Sequence, residues 1–218
     1  METALTGTIR HHRLAPKSAV PTRTIVAGVS ENTLGRARRR GFLHGGGVDL
    51  GLTRFAVSSV IELATRRVEI AGIMAEPDSA WVVQCGRQVT DAVDGFLIGK
   101  HFVLNDRDPL FSKAFRETLA AAGVQTVRLP PRSPNLNAFA KRFVRTIQES
   151  CLDRLILIGE ASLRRAIREF VAHYHGERNH QGLQNQLIID PGAHRRDGTI
   201  ACRERLGGLL KYYHRPAA

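Results

Sequence analysis

At 218 residues the chain is long enough for one well-buried domain, and its 43% hydrophobic content is ordinary for a globular protein. Its 32 Lys and Arg outweigh 20 Asp and Glu, giving a formal charge of +12 and a pI near 10.7, spread along the chain rather than gathered in one tail. These values exclude a collagen, a disulfide mini-protein and a repeat array, and they favour a polyanionic partner, with nucleic acid ahead of an acidic membrane surface.

Cys85, Cys151 and Cys202 are odd in number, scattered and without metal-ligand spacing, so neither a disulfide framework nor a zinc site is indicated. No apolar run approaches the roughly 20 residues that span a bilayer, and the N-terminus lacks the apolar core of a signal peptide. The expectation is a soluble cytoplasmic protein with no membrane partner.

Residues 1–47 are rich in Gly, Pro, Ser and Thr and lack sustained periodicity, so they read as a weakly ordered basic N-terminal segment. Within it, Ser30 or Asn32 can cap a short basic helix running through Arg40. A core begins at residue 48. Two apolar stretches, Phe55 to Leu63 and Arg67 to Met74, flank the polar turn Ala64-Thr65-Arg66 and predict an antiparallel hairpin. In its second arm Val68, Ile70 and Gly72 alternate with Arg67, Glu69 and Ala71, as expected of one covered face. Glu62 inside an apolar strand reads as an edge residue facing water.

Asp78 or Ser79 then caps an amphipathic helix carrying Val82, Cys85, Val89, Val93 and Phe96 inward, ended by Gly95 or Gly99. Phe102 to Leu104 is a short buried strand. The helix after it starts near Pro109 under an Asp108 cap, buries Phe111, Phe115, Leu119 and Ala122, and stops at Gly123. Val124 to Leu129 forms the next strand, and Pro130, Pro131 and Pro134 impose an extended loop. A helix capped by Asn135 or Asn137 turns Phe139, Phe143 and Ile147 inward, and a further helix from Glu160 to His175 buries Leu163, Ile167, Phe170 and Val171. Residues 186–218 read as a turn-rich, basic C-terminal arm. This order of elements predicts an α/β fold with a mixed central sheet flanked by helices, its core spanning 48–185.

Asp106 stands just past a buried strand, where a carboxylate can face a cleft. Paired with other acids, it could hold divalent cations that activate a hydroxyl and stabilise the oxygens of phosphoryl transfer, and hard oxygen ligands suit Mg²⁺ or Mn²⁺. His173, His175 and His180, with Tyr174, Arg178 and Asn179 among them, read as a polar helix end rather than a metal site.

The runs IELATRRVEIAGI, NDRDPLF, RLPPRSPNLNAFAKRF, VRTIQESCLDRLILIGE and VAHYHGERNHQGL resemble the integrase core of bacterial insertion-sequence transposases. That resemblance implies an RNase H-like fold and an Asp-Asp-Glu triad that binds Mg²⁺ or Mn²⁺ to cut and join DNA. It further implies double-stranded DNA, both transposon ends and target, as the partner, a homo-oligomeric assembly and a nucleoid-associated location in a bacterial cytoplasm. The second acid corresponds to Asp106. The third corresponds to position 141, where this chain has Lys, whose amine cannot ligate Mg²⁺ and whose charge repels cations near Asp106. Glu149, eight positions on and about 12 Å further along the helix axis, is a poor substitute. For the first acid Asp49 is the nearest candidate. Arg128, Arg132, Lys141, Arg142 and Arg145 cluster on the loop and helix expected to meet DNA phosphates. The expectation is a transposase or integrase-type protein with impaired catalysis, the alternative being a non-catalytic, regulatory DNA-binding remnant.

Overall fold

The computed structural model describes residues 24–30, 36–38, 52–130, 137–190, 192 and 198–215, with 24–30, 36–38 and Leu52 described by backbone alone. In chain order the elements are strands Thr24–Ser30 (β1), Arg36–Arg38 (β2), Leu52–Arg54 (β3), Ala56–Glu62 (β4) and Val68–Met74 (β5), helix Ser79–Val89 (α1), and strand Phe102–Asn105 (β6). Helix Lys113–Ala121 (α2), strand Gln125–Arg128 (β7), helices Ala138–Ser150 (α3) and Gly159–Gly176 (α4), and strands Ala201–Arg205 (β8) and Leu210–His214 (β9) follow.

Five strands form one mixed sheet in the order β5-β4-β1-β6-β7. β5, β4 and β1 run antiparallel, and β1, β6 and β7 run parallel. Parallel neighbours need crossover connections, which α2 supplies between β6 and β7. The predicted mixed sheet is present, but its middle strand is TIVAGVS, from within the segment that composition assigned to the weakly ordered N-terminus. The basic helix expected through Arg40 is also replaced, because Arg36–Arg38 pairs with Leu52–Arg54 as a two-stranded ribbon.

Both sheet faces are covered. On one, α1 and α2 pack Val82, Val83, Cys85, Val89, Phe115 and Leu119 against Val60, Ala71 and Val103. On the other, α3 and α4 pack Phe143, Ile147, Leu163, Ile167 and Phe170 against Val57, Ile61, Val68 and Ile73. Phe143 and Tyr174 meet edge to face at 5.1 Å, adding a directional aromatic contact to this second core.

The predicted hairpin exists, yet the expected alternation in its second arm fails. The register slips between Ser58 and Ser59, leaving Ala71 as an extra residue opposite them. A bulge of this kind lets consecutive residues address one face. Ala71 joins the core under α1, and Gly72 lies so close to that helix that a Cβ there would meet Cys85 Sγ at 2.7 Å and the Trp81 ring at 2.9 Å. Gly72→Ala should therefore cost about 1–3 kcal/mol by overpacking, measured as a shift in urea midpoint at unchanged m-value.

Other boundaries move for local reasons. Asp78 caps α1 as predicted, accepting from Trp81 N at 2.7 Å, but the helix stops at Val89 and leaves Val93 89% exposed. α2 begins about one turn later than its Pro suggested, because Ser112 accepts from Phe115 N while Asp108 only closes a turn with Leu110 N. Phe139 is not inward; it is 37% exposed beneath the guanidinium of Arg66. Glu62 is no edge residue. It ends an inner strand and is ion-paired with Lys100.

The histidines at the end of α4 join elements. His175 Nε2 accepts from Val68 N at 3.0 Å, tying α4 to edge strand β5, and His173 Nδ1 lies 3.1 Å from Glu177. Burial, reinforced by the charges of Arg67 and His180, holds the His175 imidazole at about 4, against 6.5 normally. Because the folded value is depressed, the stability it contributes is complete above pH 6.5 and is lost as pH falls from 6.5 towards 4. The span corresponds to about 3 kcal/mol at most. Unfolding measured across that window should show the decline, and His175→Gln should flatten it.

Candidate active site

The parallel pair β1 and β6 sets the geometry. Val26 and Leu104 are the last pair of this ladder, and continuing its register two residues, one past the end of β6, would bring Gly28 level with Asp106. Leu104 packs against the α3–α4 core. Alternation therefore puts positions 106 and 28 on that same face. Asp106 is half-buried at the mouth of the sheet, where its Oδ1 accepts from Asp108 N at 3.2 Å. Burial raises its pKa, the Asp108 N–H opposes this, the Asp108 charge adds to it, and the charge of Lys141 opposes it again. The charge of Lys141, on the first turn of α3, is the smallest of these influences on Asp106.

The remaining candidates divide. Arg128 ends β7 level with Asn105 and is exposed beside the strand end that carries Asp106. Arg145 is exposed and ion-paired with Glu149 at 2.7 Å, which accounts for that carboxylate. Arg142 lines a separate cleft with Arg66 and Arg178. Asp49 and Arg132 lie outside the described residues. Sequence reasoning missed Asn105, which is fully buried, donates from Nδ2 to Asp106 O at 3.0 Å, and leaves its Oδ1 without a hydrogen-bond partner. The buried Asn137 Oδ1, just before α3, also lacks one. Gly28 was missed because an apolar run containing Gly gives no sign of the strand it will lie against.

These groups do not fit a divalent-metal centre. The acids at the strand end are Asp106 and Asp108, with Asp108 already bonded to Leu110 N and the charge of Lys141 acting on Asp106, and among the described residues no group of three or more His, Cys, Asp or Glu could hold a metal ion. Mg²⁺ and Mn²⁺ need several hard oxygen ligands and net negative charge around them.

Residues 122–187, which contain β7, α3 and α4, match the integrase core domain family model. The structure is similar to a chain of the simian T-cell lymphotropic virus intasome in complex with PP2A regulatory subunit B56 gamma, at 10% identity and TM-score 0.51, over 90% of this chain and 68% of that one. The BIV integrase catalytic core gives 13% identity and TM-score 0.48 over 77% and 91% of the two chains. The HTLV-2 integrase catalytic core, a dimeric form in complex with magnesium, gives 11% and 0.44 over 76% and 94%. No curated protein sequence matches the chain. Residues 122–187 are therefore similar to an integrase core, and the fold is the RNase H-like one. Among the described residues, no helix is long and apolar enough to cross a membrane.

Proposed function

We propose that this integrase-core protein binds double-stranded DNA, as a transposase of the insertion-sequence type would, but does not carry out metal-dependent strand transfer. The observation behind this reading is that Lys141 stands where the motif calls for Glu, on the first turn of α3 and near enough for its charge to act on Asp106. The neighbouring strand TIVAGVS adds to it, because it contains no acid at all. With Lys in place of the third acid and Asp108 bonded to Leu110 N, neither an entering nor a leaving oxygen of a phosphodiester would be held by a cation pair.

The surface chemistry required for DNA binding remains. Arg128 and Lys141 flank the strand end, and the formal charge of +12 supplies long-range attraction. Such a protein would act as a regulator, either occupying DNA sites or pairing with catalytically intact copies in a homo-oligomer at the nucleoid. The test combines two measurements on the full chain. Duplex binding should weaken steeply with salt, and joining of DNA ends with Mg²⁺ or Mn²⁺ should be absent. Salt-independent binding would overturn the first half, and robust joining the second.

A further inference from the structure

The turn between β4 and β5, the first two turns of α3 and the segment after α4 enclose a cleft of about 390 Å³. Arg66, Arg142 and Arg178 all line it, and no Asp or Glu does. Among the described residues none of the three forms a salt bridge. A second cleft of similar size, around Glu62, differs in kind, because Glu62, Glu69 and Asp94 there face Arg67 and Lys100.

Arg66 is held in place at some cost. Its φ of +65° is a left-handed conformation that Gly or Asn adopts more easily. Its guanidinium lies 3.5 Å from the centre of the Phe139 ring, and Nη1 is buried without a hydrogen-bond partner. Burial lowers its pKa, Tyr174 opposes this, and Arg142 adds to the lowering, as expected of cations forced together. Burial raises the pKa of the neighbouring Tyr174, and the charges of Arg178, Arg66 and Arg142 all oppose it. An unused buried donor and uncompensated like charge are both relieved by one kind of occupant, a tetrahedral oxyanion accepting from planar guanidinium forks.

We propose that the Arg66–Arg142–Arg178 cleft is a phosphate-binding site that anchors one backbone phosphate of duplex DNA. The assignment rests on the DNA-binding reading above and adds to it a specific anchor away from Asp106. The same turn of α3 presents Lys141 to Asp106 and Arg142 to the cleft, so DNA lying along α3 reaches both. Asn179 at the rim supplies a neutral amide donor beside the guanidinium groups.

The test is fluorescence anisotropy of a labelled duplex titrated with full-length protein at several salt concentrations. Arg66→Gln and Arg178→Gln are compared with Arg165→Gln, an exposed α4 residue outside the cleft. Each cleft variant should lose roughly three- to tenfold in affinity near ~0.1 M salt, with the salt slope reduced by about 1. Arg165→Gln should change both far less. Pyrophosphate should raise the melting temperature of the wild type and of Arg165→Gln but not of the cleft variants, and equal unperturbed melting temperatures establish that all are folded. Equal losses in all three variants, or none in the cleft variants, would overturn the site. A pyrophosphate response lost in the cleft variants with duplex binding intact would reassign the cleft to a free anion and also overturn it. Wild-type protein that binds no duplex would instead refute the DNA-binding reading on which the assignment rests.

Discussion

Gly28→Asp combined with Lys141→Glu should convert a strand end with no measurable Mn²⁺ affinity into one that binds the ion, a gain on the order of 100-fold or more, read by Mn²⁺ electron spin resonance. The reason is additive chemistry at one place. Lys141→Glu removes a positive charge that acts on Asp106 and installs a carboxylate in its stead, a change of two charge units next to an existing ligand. Gly28→Asp adds a third acid on the strand that runs parallel to β6 and level with it. Lys141→Glu alone leaves two carboxylates and should bind weakly. Even a partner one layer removed from a metal changes affinity by 10–100-fold, so gaining two direct ligands should exceed that. Undetectable binding by the folded double variant would mean that β1 does not present position 28 to Asp106. Binding by the wild type would mean that ligands outside the described residues, such as Asp49, complete the site.

The second large effect concerns the C-terminal hairpin. Glu177→Ala should lower the unfolding free energy by about 3–5 kcal/mol, because a buried ion pair that loses one partner leaves the other charge stranded. The Glu177 side chain is 2% exposed, and its oxygens accept from Arg205 Nη2 at 2.8 Å, Arg205 Nε at 2.9 Å and Arg203 Nη1 at 3.3 Å. Glu169 takes the remaining arm of Arg205 at 2.8 Å. Through these contacts α4 holds the β8–β9 hairpin, and Leu210 closes the core beneath it. Burial pushes the Glu177 carboxyl up, but hydrogen bonds from Arg205 and His173 outweigh it and bring the pKa down to about 2.

The folded value is depressed below 4.5, so this stability is present above pH 4.5 and disappears as pH falls towards 2. The window lies below that of His175. Urea unfolding of wild type, Glu177→Ala, Arg205→Ala and the double variant would measure the coupling, and a loss under about 1 kcal/mol would show that the clamp contributes little.

Much of this was legible along the chain. The turn Ala64-Thr65-Arg66 between two apolar arms specified the hairpin, Asp78 specified the start of α1, and Phe115 and Leu119, four apart, specified the buried face of α2. Asp106 followed from a short apolar run ending in an acid, and Lys141 from its place within a motif. Each signal lies within a few residues of the structure it predicts. The bulge at Ala71 was not legible, because an extra residue in a strand shows only against its partner strand.

The amino-acid order alone therefore determined the fold class, the covered helix faces, and the places of Asp106 at a strand end and Lys141 on the helix after the Pro-rich loop, since periodicity, capping and side-chain charge are local properties. Only the tertiary structure decided that TIVAGVS is the middle strand, that Val26 pairs with Leu104 just short of Asp106, that Glu62 pairs with Lys100, and that Arg66, Arg142 and Arg178 share one cleft. Those pairings join residues far apart in sequence, and their energies come from register, burial and desolvation, which exist only once the sheet has been assembled between its two helix layers.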